Sequence, residues 1–216
     1  MTTAVSPKRG RYARSHQRRE QIAQAVLELV DELGHEGVTT ALVAARSGIS
    51  EPTVLYHFPT KDHLLVAALE RADDIDADLA GADIENLTLD LDALRAVANS
   101  ELRHHEHRVR LFVMLGGLAA TPGHPAASYL ARRQRRAVEI FAALITERQR
   151  AGLAHPGLDP QDTARQVVAL RHGLVSQWAQ DRGINVGAAL ATGVRRLTGE
   201  NWMQARALLN RADIGL

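Results

Sequence analysis

The chain has 216 residues, 45% of them hydrophobic and 24% charged, so it holds enough apolar surface for a packed core and too much for global disorder. Cysteine is absent, which excludes a disulfide framework and any thiolate metal site and suits a cytoplasmic location. The formal charge of +1 is unevenly spread: residues 1–20 carry six cations (Lys8, Arg9, Arg11, Arg14, Arg18, Arg19) against Glu20, a balance of +5 that leaves −4 for the rest. A basic end on a mildly acidic body points to a polyanion as the partner of that end alone. No apolar run approaches the roughly 18 residues of a membrane-spanning helix, and the N-terminus lacks the apolar stretch of a signal peptide, so no membrane partner is expected.

In chain order, residues 1–14 mix Ser, Thr, Pro, Gly and Arg without an apolar period and predict a basic, disordered arm. From Ser15 the pattern turns helical: Ile22, Val26, Leu29/Val30 and Leu33 recur at intervals of three and four, with Gly34 as a stop. The same period returns over 40–47, 53–58, 61–80, 90–105, 108–119, 125–151, 160–182 and 187–209, separated by Gly48, Pro59, Gly81, the TPGHP of 121–125, Gly152, Pro156 and Gly183. Asp159, Pro160 and Asp162 supply a cap, a first-turn proline and an acidic first turn. No alternating strand pattern and no internal repeat appears. The expectation is an all-α chain of about nine helices: an arm over 1–14, a compact three-helix unit over 15–60, and a larger bundle over 61–216.

The segment from Thr40 to Val54 has helix-turn-helix spacing. Val43 and Ala44 lie on the inner face of a short helix, Gly48 permits positive φ in the tight turn, and Ile49 and Val54 fix the crossing by burial. Ser50 is placed to cap the second helix and Pro52 falls in its first turn, where a missing N–H costs little. The second helix of such a motif enters the major groove and its early residues meet base edges and phosphates. Ser50, Pro52, Thr53 and Tyr56 are expected to face outward, with Val54, Leu55 and Phe58 inward or flanking. Thr53 suits a thymine methyl or a hydrogen bond to a base or phosphate. Tyr56 and His57 lie within reach of the backbone, Lys61 is a phosphate cation, and Thr39 caps the first helix while offering its hydroxyl to a phosphate.

The run GISEPTVLYHFPTKDHLL closely resembles the DNA-binding signature of the tetracycline-repressor (TetR) family of transcription regulators. The resemblance extends from the helix at 18–33 through T-T-x-x-V-A-x-x-x-G (39–48) to H-F-P-T-K-D-x-L-L (57–65), roughly the first third of the chain. Carried over position by position, it implicates Thr39, Thr40, Ser50, Pro52, Thr53, Tyr56, His57 and Lys61 in contact with double-stranded DNA. Two positions depart from the family pattern. Leu55 stands where many members have a phosphate-binding tyrosine, with Tyr56 next door; Glu51 stands where Lys, Arg or a small residue is common, and either accepts from a cytosine N4 or faces water. From Thr39 to Leu64, Arg46 and Lys61 balance Glu51 and Asp62, so phosphate neutralisation is assigned to the arm, with Arg9, Arg11, Arg14 and Arg18 as its contacts. Arg18 and Arg19 read as first-turn cations opposing a helix macrodipole, a cost that a bound phosphate reverses.

A single helix-turn-helix offers too little surface for a selective site, so a two-fold homodimer on a near-palindrome is expected. The last two helices are the interface candidates, through Val167, Leu170, Leu174, Val175, Leu190, Val194 and Leu197, and the resemblance implies that they pair with their mates as a four-helix bundle. It also implies a pocket for an unknown small-molecule ligand among the middle helices, with Phe112, Met114, Tyr129, Phe141 and Trp178 as candidates. Ligand binding there shifts the helix at 61–80 and releases DNA, the behaviour of a repressor. No cofactor is implied. An enzyme is not expected, since the chain has no Gly-rich phosphate loop and no nucleophile elbow; the alternatives are an architectural DNA binder without ligand, and a metal-dependent enzyme built on His104 and His107. Those histidines read first as a solvated polar face.

Overall fold

The computed structural model describes residues 7–80 and 90–212, and every regular element among them is an α-helix. There are ten: α1 (Pro7–Gly37), α2 (Thr40–Ser47), α3 (Glu51–His57), α4 (Lys61–Ala80), α5 (Leu91–His104), α6 (Glu106–Leu118), α7 (Ala126–Arg150), α8 (Pro160–Gln180), α9 (Val186–Leu197) and α10 (Glu200–Ala212). The chain divides into two compact units, one of residues 1–82 and 110–129, the other of 83–109 and 130–216.

Two departures from the expected helices exceed a shift of one or two residues. Residues 7–14, expected to be disordered, belong to α1, which opens on Pro7. Once later turns are anchored in a core, each further residue adds a hydrogen bond without repeating the cost of nucleation, and Lys, Arg and Ala extend a helix well. Residues 7–14 have no apolar residues at helical intervals, so their sequence carries no sign of the helix. Arg18 and Arg19 therefore lie mid-helix, and the first-turn macrodipole argument does not apply to them. Gly34 does interrupt α1, with φ 73° and ψ 167°. At the other end, the single helix expected over 187–209 is two, α9 and α10, parted at Gly199 with φ 69°.

In the first unit, α1 lies against α4 and α2, and α2 against α3. Ile22, Val26 and Val30 from α1 meet Val38, Val43, Val54, Phe58, Leu64 and Leu65 as a buried core. Arg71 Nε donates to Gln24 Oε1 at 2.9 Å, fastening α4 to α1. The segment between α6 and α7 joins this unit through Tyr129, whose hydroxyl donates to Asp73 at 2.7 Å, and through His124, whose Nε2 lies 3.3 Å from Asp62 Oδ2.

The second unit centres on α9, which packs on both α5 and α8. Its core joins Leu91, Ala98, Val138, Ile145, Ala164, Val168 and Leu190. The Asp159 carboxylate caps α8 by accepting from Asp162 N at 2.8 Å, with Pro160 as first residue, as the sequence predicts. Val167, Leu190 and Val194, expected on an interface between copies, are 0% exposed within the single chain, and Val175 is 4% exposed. These four have no surface to offer a second copy. Leu170, Leu174 and Leu197 pack at the edge of the core and remain partly exposed.

Candidate nucleic-acid interface

Gly48 ends α2 in the left-handed region at φ 66°, and its amide donates to Ala44 O, which turns the chain within three residues from one helix to the next. Val43 and Val54, both 0% exposed, set the two helices against the core. The outer face of α3 is then fixed by its period: Glu51, Pro52, Leu55 and Tyr56 are exposed, and Thr53 is half-buried. Tyr56 is 78% exposed, and Leu55, expected inward or flanking, is 41% exposed.

Small hydroxyl groups dominate the interface, and each has a defined partner. Thr39 caps α2 by accepting from Leu42 N at 3.2 Å. Ser50 occupies the cap position of α3 but makes no cap hydrogen bond; its Oγ pairs instead with Thr53 Oγ1 at 2.8 Å. The expected cap is therefore replaced by a hydroxyl pair on the outer surface. Thr40 donates its hydroxyl proton to the Glu51 carboxylate, a contact between the starts of α2 and α3.

The cations divide into two groups. Arg46 forms a fork with Glu32 at 2.8 and 2.7 Å and lies 3.5 Å from Glu28, so it is a strut between α2 and α1. That hydrogen-bonded fork holds the Glu32 carboxyl below its ordinary value. Lys61 donates to Glu36 O at 2.9 Å and keeps further ammonium protons for another acceptor. Arg14 and Arg18 are exposed along α1, while the side chains of Arg9 and Arg11 lie outside the described residues.

Arg19, absent from the predicted contacts, holds the end of α3 in place. Its Nη1 donates to His57 O at 2.8 Å and its guanidinium lies 4.4 Å from the centre of the Phe58 ring. The two ends of that contact are 38 residues apart, so no local pattern announces it.

His57 feels the same cation. Burial first, then the charges of Arg19 and Arg18, hold its ring below the ordinary histidine value of 6.5. As pH falls, the unfolded chain then takes up a proton before the folded one. The stability carried by the neutral ring is whole above that ordinary value and is lost as pH falls through it. His57→Gln should therefore lose less stability than the parent chain between about pH 7.5 and about pH 5.5, as read by urea midpoints followed by circular dichroism. Equal losses in both proteins would show that the ring titrates alike folded and unfolded.

The remaining candidates separate. Phe112, Met114 and Tyr129 belong to the first unit, Phe141 and Trp178 to the second. Tyr129 and Trp178 are buried, and the other three half-buried. His104 is exposed, with Nδ1 at 3.0 Å from Ser100 O. No group of three or more metal-ligating side chains occurs among the described residues.

Comparison with known proteins meets this geometry at the same place. Residues 22–68 match the family described as bacterial regulatory proteins, tetR family. The tetracycline repressor protein class C of Escherichia coli is 40% identical over 52 residues, 24% of this chain and 24% of that protein. The chain thus spans about a quarter of that relative's length. Among solved structures, a chain from Rhodococcus sp. assigned to the TetR-family transcriptional regulators is 26% identical, with a TM-score of 0.59 over 84% of this chain and 98% of the other. A transcriptional regulator from Saccharomonospora viridis in complex with choline shares the fold at a TM-score of 0.65 and 19% identity, over 86% of this chain and 97% of its own. The sequence match to the tetR family of bacterial regulatory proteins falls on the unit that carries the helix-turn-helix, and the likeness of fold to such regulators runs across most of the chain.

Proposed function

We propose that this protein is a sequence-specific DNA-binding transcription regulator: a homodimeric repressor that leaves a palindromic operator when a small molecule binds. The observation that carries the reading is the α2–turn–α3 geometry, with Val43 and Val54 buried behind an outer face of Ser50, Pro52, Thr53 and Tyr56. A helix presented in this way fits the major groove, where short hydroxyl side chains allow close approach to base edges. Thr39, Thr40, His57 and Lys61 flank that face at the level of the phosphates, and the α1 cations Arg9, Arg11, Arg14 and Arg18 supply further neutralisation.

The α1 extension changes how those cations act. Carried on a helix, Arg14 and Arg18 approach the duplex from fixed positions and not as part of a mobile arm. Because Arg46 is committed to α1 glutamates, Lys61 and the α1 cations are the principal source of phosphate affinity.

For the dimer, Leu170, Leu174 and Leu197 are the candidate contact residues, since they retain surface at the edge of the second unit's core. The ligand reading draws support from the fold neighbour held with choline; the ligand of this chain is a small molecule of unassigned chemistry. Its site is proposed among the helices that follow α4. By role, the proposed division is a DNA-reading part over 15–60 and a ligand and dimerisation part over 61–216, which differs from the division into two compact units. The protein is proposed to act in the cytoplasm and to carry out no catalysis.

The test is selection of bound duplexes from a random pool by the purified chain, followed by a screen of metabolites for release. Recovery of one enriched, two-fold-repeated sequence supports the reading. A pool unchanged after selection removes it, and an enriched duplex that no small molecule releases leaves a constitutive DNA binder.

A further inference from the structure

We infer that Glu51 is a selectivity residue of the reading helix, one that penalises the phosphate backbone and favours a base pair offering an exocyclic amine in the major groove, cytosine N4 first. The inference rests on the DNA-binding reading and adds to it a residue that acts against non-specific contact.

Three observations carry it. Glu51 is exposed in the first turn of α3, on the outer face with Pro52 and Tyr56. Its Oε1 accepts the Thr40 hydroxyl proton, so the carboxylate is held at the junction of the two helices and does not sweep freely through solvent. A carboxylate has acceptor capacity beyond one hydrogen bond, and Oε2 has a lone pair to offer an amine. Finally, the one Lys or Arg within α2 and α3, Arg46, is turned to Glu28 and Glu32, so no cation of these helices neutralises Glu51.

The pair with Thr40 has a second effect. A threonine hydroxyl has one proton, and here Glu51 receives it. While the pair holds, Thr40 cannot donate to a phosphate, so Glu51 both repels the backbone and withdraws a group that would grip it. Random-sequence binding, which depends on phosphate contacts alone, suffers fully. A duplex whose major groove places an amine against the carboxylate recovers the loss through a charge-assisted hydrogen bond. The net result is a wider gap between the chosen site and all others.

The experiment uses the full chain and fluorescence anisotropy on two duplexes, the one recovered by selection and one of random sequence. Glu51→Gln removes the charge, and Glu51→Ala removes the acceptor as well. Both side chains replace an exposed group, and circular dichroism confirms that each variant is folded. Each variant should bind the random duplex about threefold to tenfold more tightly than the parent, and the preference for the selected duplex should fall by about tenfold. Selection repeated with Glu51→Ala should lose the cytosine preference at one position of each half-site. An unchanged preference ratio, or weaker binding to both duplexes alike, overturns the role given to Glu51. A parent chain that prefers neither duplex instead overturns the DNA-reading assignment on which it stands.

Discussion

Replacing Glu200 by alanine should cost the second unit about 3–5 kcal/mol, the expected penalty for leaving half of a buried ion pair. Arg148 Nη2 donates to Glu200 Oε2 at 2.9 Å, and both side chains are 10% exposed. Gln204 Nε2 donates to the other oxygen at 3.0 Å, and Arg195 Nε lies 3.8 Å from Oε2. The carboxylate thus fastens α10 to α7 just after the Gly199 break. Without it, the Arg148 guanidinium keeps its charge and loses the anion that offset its desolvation. Glu200→Gln preserves shape and the contact with Gln204, so it should cost less than alanine. Both tryptophans of the chain, Trp178 and Trp202, lie in the second unit, so urea unfolding followed by tryptophan fluorescence reports on that unit directly. A midpoint unchanged by Glu200→Ala would mean that the pair contributes nothing net to stability.

Gly187→Ala is the second large effect, about 3 kcal/mol, and it isolates a backbone contact. A Cβ on Gly187 would sit 2.4 Å from the Arg95 carbonyl oxygen and 2.6 Å from Asn99 Oδ1, which already accepts from the Gly187 amide at 3.0 Å. The carbonyl is part of α5 and cannot rotate away, so α9 must move off α5 and the hydrogen bond weakens with it. Gly193 is a useful contrast. Its added Cβ would fall 2.2 Å from Leu170 Cδ2, the tip of a flexible side chain, and alanine is also the better helix former. Gly193→Ala should therefore stay within about 1.5 kcal/mol of the parent chain. Tryptophan-monitored unfolding of both variants decides the matter: equal midpoints would show that the α5–α9 approach is not as close as described.

Both effects depend on residues far apart in the chain, and that marks the boundary of what the sequence made legible. The reading motif was legible because its determinants are local. Gly48, Pro52 and the spacing of Val43 and Val54 fix a short turn between short helices, and Asp159 with Pro160 announces the start of α8. The extension of α1 to Pro7 was not legible, because those turns carry no apolar period. The hydroxyl of Ser50 chose Thr53 over the backbone, a choice between neighbours that spacing does not resolve.

The second unit shows a different limit. Apolar residues at helical intervals announce burial without naming what buries them. Val167, Leu190 and Val194 read equally well as own core or as contact with a second copy, and the structure assigns them to the core. The pocket candidates follow from the resemblance alone, and they fall into two units. Arg46, counted in the sequence as a cation of the reading motif, is engaged by glutamates of α1. Its position in the motif gave no hint of partners on the preceding helix.

The most direct test of the account is the stoichiometry and symmetry of the protein on its selected duplex, measured by sedimentation together with a cleavage footprint. Two chains per duplex are expected, protecting two inverted half-sites whose centres lie about 34 Å apart or a multiple of it. A single chain on an unrepeated site, or a footprint spread evenly along the duplex, would contradict it.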